Sequence, residues 1–123
     1  MTASSTLLAG RRVLLVEDDF FVVEDMRQEF EAIGASVVGP AATVDDALRL
    51  VATTDRLDAA VLDVNLRGAM VYPVADALAA RGVPFVFATG YDSAVIPPRF
   101  SWVKRCAKPV RFTRMIRELF PPG

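Results

Sequence analysis

Two apolar runs in the chain end on carboxylates. Arg12-Val13-Leu14-Leu15-Val16 leads into Glu17-Asp18-Asp19, and Leu57 to Leu62 (LDAAVL) leads into Asp63. Apolar runs of this length read as short buried strands, and in an open α/β sheet ligands sit at the carboxyl ends of the strands. If the two strands lie side by side, up to four carboxylates meet in one crevice, which suits a hard cation with oxygen ligands. A further run, Pro84-Phe85-Val86-Phe87-Ala88, ends on Thr89.

The composition narrows the chemistry. With no histidine, the chain has no imidazole base, no Ser/His or Cys/His nucleophile pair and no phosphohistidine of its own. Cys106 is the single cysteine, so an internal disulfide and a thiolate zinc site are both excluded. The 14 basic and 15 acidic residues nearly cancel, so nucleic acid is not an expected partner. No stretch reaches the roughly 18 apolar residues of a membrane span, and MTASSTLLAG lacks the pattern of a secretory leader. A cytoplasmic protein without membrane attachment is expected. The 123 residues suit one domain, taken as a loose tail over 1–10, a folded body over 11–120 and a short end over 121–123.

The elements that must carry these residues alternate. A strand over 12–17 precedes a helix capped by Asp18 or Asp19, with Val23, Met26, Phe30 and Ile33 on one face and Gly34 at its end. A strand over 36–39 is closed by Pro40, and Thr43-Val44-Asp45-Asp46 starts a second helix with Val44, Ala47, Leu48 and Val51 inward. After the central strand and a loop over 64–70, Pro73 sits in the first turn of a third helix burying Val74, Leu78 and Ala79. Pro97-Pro98 preclude a full helix before a strand over 101–104. Pro109 then opens a last helix with Phe112, Met115, Ile116 and Leu119 inward. Strand and helix in alternation imply a doubly wound five-stranded parallel sheet of order 2-1-3-4-5, flavodoxin-like, with a shortened or irregular fourth helix.

In this arrangement VLLVEDD at 13–19, VLDVNL at 61–66, FATGYD at 87–92 and AKPV at 107–110 together resemble the receiver domain of two-component response regulators. Phe87-Ala88-Thr89-Gly90-Tyr91 is similar, more narrowly, to the signature of the FAT GUY group of single-domain alphaproteobacterial receivers. The resemblance implies a phosphoprotein of a phosphorelay. Asp63 would take a phosphoryl group from a sensor histidine kinase or phosphotransfer protein as 4-aspartylphosphate. It also implies that the chain catalyses only its own phosphorylation and dephosphorylation.

Transfer of this kind needs charge neutralisation at the phosphoryl oxygens, which Mg2+ or Mn2+ and a lysine supply. Asp18, Asp63 and the backbone carbonyl of Asn65 are the expected ligands, with Glu17 in the outer shell. Lys108 and the Thr89 hydroxyl would meet the phosphoryl oxygens, and Lys108-Pro109 is expected to be cis, as in the family. Gly90 leaves room for the donor.

Receivers usually carry an aromatic residue three positions before the lysine, and here that position is Arg105. Tyr91 or residues 92–99 would then take over the moving part of the switch. Asp19 is read as a helix cap, and the stripe Arg111, Arg114 and Arg117 as a solvated face or a dock for an acidic partner. The given sequence ends three residues after the last expected helix, and no output domain is expected. Its expected output is contact with a downstream protein, or a relay, by a monomer or weak dimer. The rival readings are a pseudo-receiver that binds proteins without phosphorylation, and a small aspartate-dependent hydrolase, which usually has a second aspartate where Asn65 stands.

Overall fold

The computed structural model describes residues 7–90 and 96–121. Five parallel strands, β1 (Arg12–Val16), β2 (Ser36–Ala41), β3 (Ala59–Asp63), β6 (Phe85–Thr89) and β7 (Arg105–Ala107), form a sheet of order β2-β1-β3-β6-β7. Two short strands, β4 (Asn65–Leu66) and β5 (Ala69–Met70), make a separate antiparallel hairpin between β3 and β6. The helices are α1 (Phe20–Ala32), α2 (Val44–Thr53), α3 (Tyr72–Ala80) and α4 (Phe112–Leu119). The order is the expected doubly wound one.

Alternation along the strands sorts the side chains onto two faces. Leu14, Val16, Ala60, Leu62, Phe85 and Phe87 pack with α2 and α3, whereas Val13, Leu15, Ala59, Val61, Val86 and Ala88 pack with α1 and α4. All five residues of β3 and of β6 are buried, as suits strands covered on both sides.

Asp19 caps α1, accepting hydrogen bonds from the backbone N–H groups of Phe21 and Val22 at 2.9 and 3.2 Å. Thr43 caps α2 through the N–H of Asp46 at 3.1 Å. Val23, Met26 and Phe30 are buried on α1, and Ala47 and Val51 on α2.

Several local expectations need correction. β2 does not stop at Pro40: a bulge at Gly39, with φ 95° and a cis Gly39-Pro40 bond, carries it on to Ala41. A proline is tolerated because β2 is the edge strand. On α3 Val74 and Leu78 are buried as expected, but the third buried residue is Ala75, while Ala79 faces solvent. The fifth strand lies at Arg105–Ala107 instead of 101–104, because turn bonds from Ser101 N–H to Pro98 and from Val103 N–H to Phe100 curl that stretch. The last helix opens at Phe112 with Arg111 as its extended cap, three residues past Pro109. Leu8, placed in the tail, is 4% exposed, and its N–H donates to the Ile33 carbonyl at 2.8 Å.

Between β6 and β7 the described residues contain one 3-10 turn, Pro98–Phe100, and no α-helix. Phe100 anchors this connection to the core. It is 2% exposed, stacks on Tyr72 at 5.7 Å between centroids, and meets Phe87 edge-on at 5.7 Å. Arg99 lies over its ring and makes two hydrogen bonds to Asp76 on α3. Truncation of Phe100 to Ala should therefore cost about 3 to 5 kcal/mol in urea denaturation. A loss below about 1 kcal/mol would mean that the turn does not fill the core.

Candidate functional site

The register of the sheet brings the acids together. Val16 on β1 pairs with Leu62 on β3, so the next residues along, Glu17 and Asp63, leave adjacent strand ends side by side. Both continue the alternation of Val13, Leu15, Ala59 and Val61, and so leave on the α1 and α4 side. Lys108 shares the parity of Cys106, which packs on that side, and its N–H donates to the Thr89 carbonyl at 2.8 Å. The cis Lys108-Pro109 bond is present as expected.

One carboxylate oxygen each from Glu17, Asp18 and Asp63 lies within 4.8 Å of the others. Lys108 Nζ sits between two of them, 2.9 Å from Glu17 Oε1 and 3.1 Å from Asp63 Oδ2. The other Glu17 oxygen accepts the N–H groups of Asp18 and Asp19, both at 3.1 Å. Asp63 Oδ1 accepts the Asn65 N–H at 3.3 Å. Thr89 ends β6 and is buried, as are Glu17 and Asp63. Asp18 is half-buried, and Gly90 is exposed, with no atom of the described residues beyond its chain neighbours within 4 Å of the position a β-carbon would take.

The electrostatics follow from too many acids in too little water. Burial, joined by the Asp63 carboxyl beside it, outweighs the pull of the Lys108 hydrogen bond and leaves the Glu17 carboxyl raised to about 7. Burial works against the Lys108 ammonium too, but hydrogen bonds and charge from Glu17 and Asp63 outweigh it and raise its pKa above the usual value. An all-oxygen donor set with excess negative charge fits a hard divalent ion such as Mg2+. Glu17, Asp18 and Asp63 are the side chains placed to hold one.

Of the remaining expected residues, Asn65 opens β4 beside Asp63 and is exposed. Arg105 is exposed on β7, and its charge reaches the Tyr72 hydroxyl, whose pKa burial raises while Arg105 and Arg99 pull it down. Tyr91 and residues 92–95 of the stretch 92–99 lie outside the described residues. Arg111, Arg114 and Arg117 are exposed as a stripe.

Arg67 was not foreseen. Its Nε lies 3.4 Å from Asp18 Oδ2, and it has φ 52° in the turn of the hairpin. The sequence signal was Arg67-Gly68 between Asn65-Leu66 and Ala69-Met70, a two-residue hairpin hidden in an expected loop.

No family model matches the chain, and no curated protein sequence does. Solved structures do. The solution structure of SdrG from Sphingomonas melonis Fr1 is 37% identical, with a TM-score of 0.73 over 89% of this chain and 95% of that one. The BeF3-activated conformation of SdrG from Pseudomonas melonis Fr1 is 39% identical, with a TM-score of 0.69 over 86% and 90%. A response regulator receiver protein from Sinorhizobium medicae WSM419, at 17% identity and a TM-score of 0.75 over 92% and 93%, shares the fold. The chain belongs to the response regulator receiver family.

The raised Glu17 pKa fixes a pH dependence. Between its ordinary 4.5 and about 7, Glu17 keeps its proton in the folded chain but loses it in the unfolded one. The folded state then binds more protons, so stability falls as pH rises through that window, by on the order of 3 kcal/mol. Urea denaturation in chelator at pH 5 and pH 7.5 should show that fall, and Glu17→Gln should flatten it. An unchanged midpoint in the wild type would contradict the assignment.

Proposed function

We propose that this receiver accepts a phosphoryl group on Asp63 from the phosphohistidine of a sensor histidine kinase or phosphotransfer protein, in a reaction that requires Mg2+ or Mn2+. The observation that carries the reading is the packing of Asp63 against both Lys108 and two further carboxylates at a sheet end. Asp18 and Asp63 would hold the divalent ion together with the Asn65 carbonyl, and Glu17 would act on it from the outer shell. When bound, the ion neutralises charge on the phosphoryl oxygens.

The chain's own residues then divide the work. Asp63 Oδ2, held by Lys108, is the attacking oxygen, and Lys108 Nζ passes from it to a phosphoryl oxygen as the group arrives. The Thr89 hydroxyl would take another oxygen, joining the chemistry to β6. Gly90 leaves the approach to Asp63 open, which suits a bulky protein donor. The chain in this reading catalyses its own phosphorylation and hydrolysis and turns over no other substrate.

The output follows from what surrounds the site. Because Arg105 occupies the usual aromatic position, the connection from β6 to β7, anchored by Phe100, carries the change to a downstream protein. The run Phe87-Ala88-Thr89-Gly90-Tyr91 supports the FAT GUY group as the finer assignment, and with it action as a single-domain cytoplasmic regulator, monomeric or weakly dimeric. SdrG, described in a BeF3-activated conformation, supports beryllofluoride as the phosphoryl mimic of choice.

Incubation with acetyl phosphate and Mg2+ should give one phosphoryl adduct by intact-protein mass spectrometry. Asp63→Asn should abolish the adduct, chelator should prevent it, and Lys108→Ala should slow its formation by roughly tenfold or more. A folded protein that forms no adduct would favour the phosphorylation-independent binding module instead. Steady release of phosphate from a phosphate ester would point to the hydrolase.

A further inference from the structure

Arg67 is placed where few residues would choose to be. It is the one non-glycine residue with positive φ among the described residues, and Gly68 beside it has φ 90°. Asparagine and glycine occupy that backbone region readily, whereas arginine does so at a cost. The hairpin that imposes it is firmly seated. Leu66 is 3% exposed, Asn65 Oδ1 accepts the Gly68 N–H at 2.7 Å, and the Val71 N–H returns to the Val64 carbonyl at 2.9 Å. The root of the Arg67 side chain is therefore held at the mouth of the acidic site while the side chain itself stays 77% exposed.

The charges there explain what this placement does. Lys108 is committed to Glu17 and Asp63, which leaves Arg67 as the cation paired with Asp18 among the described residues. The contact is a single Nε approach at 3.4 Å, without the two-pronged geometry that makes an arginine grip a carboxylate. It is an ion pair that neutralises Asp18 and lets go easily. A divalent ion seated on Asp18 would stand within a few ångströms of the guanidinium and repel it.

We propose that Arg67 is a tethered counter-ion that competes with the divalent cation for Asp18 and so sets how tightly the site binds metal. The inference rests on the metal-dependent reading above. With no metal, the guanidinium covers Asp18 and offsets part of the acid cluster's repulsion. When metal binds, the exposed side chain swings off into solvent, and the hairpin need not move.

Calorimetric titration of Mg2+ into the wild type, Arg67→Asn, Arg67→Lys and Arg56→Gln separates the alternatives. Asparagine removes the charge and suits the backbone, lysine keeps the charge, and Arg56 pairs with Asp58 away from the cluster. Arg67→Asn should bind Mg2+ roughly threefold to tenfold more tightly, a gain that shrinks at high salt. Arg67→Lys and Arg56→Gln should stay close to the wild type. Equal or weaker binding by Arg67→Asn would overturn the competition and leave the proposed function standing. Absence of Mg2+ binding by every protein, wild type included, would overturn both.

Discussion

The repulsion among Glu17, Asp18 and Asp63 is the constraint on which the rest of the structure turns. Three carboxylates within 4.8 Å of one another, two of them buried, are not held together by their own chemistry. They are held by the sheet, which spends apolar burial to position charge. Lys108 relieves two of the three, Arg67 touches the remaining one, and Glu17 keeps its proton up to about pH 7. Once Glu17 ionises, three carboxylates face the two cations Lys108 and Arg67, and the site is short of positive charge, the state in which an oxygen-seeking divalent ion is welcome.

The positioning comes from two periodicities. Alternation along each strand puts Glu17, Asp63 and Lys108 on the face covered by α1 and α4, and parallel register puts their strand ends level. A slip of one residue in β1 or β3 would turn a carboxylate into the opposite core. The bulge at Gly39-Pro40 belongs to the same arrangement, because it lets Ala41 accept the Glu17 N–H at 3.0 Å. On the other side of the sheet, Tyr72, Phe87 and Phe100 pack ring against ring. Thr89 stands where these two halves meet, at the end of the strand that carries Phe87.

The architecture was legible because strand and helix periods are strong signals in α/β chains, and the site was legible because its acids fall where apolar runs stop. Lys108 became readable through the resemblance, since nothing in a lone lysine before a proline says where it points. What stayed hidden was decided by turns. The run at 101–104 looked like a strand because Trp102 and Val103 are apolar, but the bonds that curl it start at Pro97 and Pro98, residues that also excluded a helix. Arg67 was passed over because arginine is not a hairpin residue. Its unfavourable backbone is what makes it informative.

The central claim is that Asp63 and Asp18 form one metal-assisted phosphoacceptor centre. Crystals grown with Mn2+ and beryllofluoride would test it in a single anomalous difference map. The account predicts one Mn2+ peak within coordination distance of both carboxylates, with the beryllofluoride joined to Asp63 and in contact with Lys108. An Asp63 carboxylate left unmodified, or a metal peak away from Asp18, would contradict it.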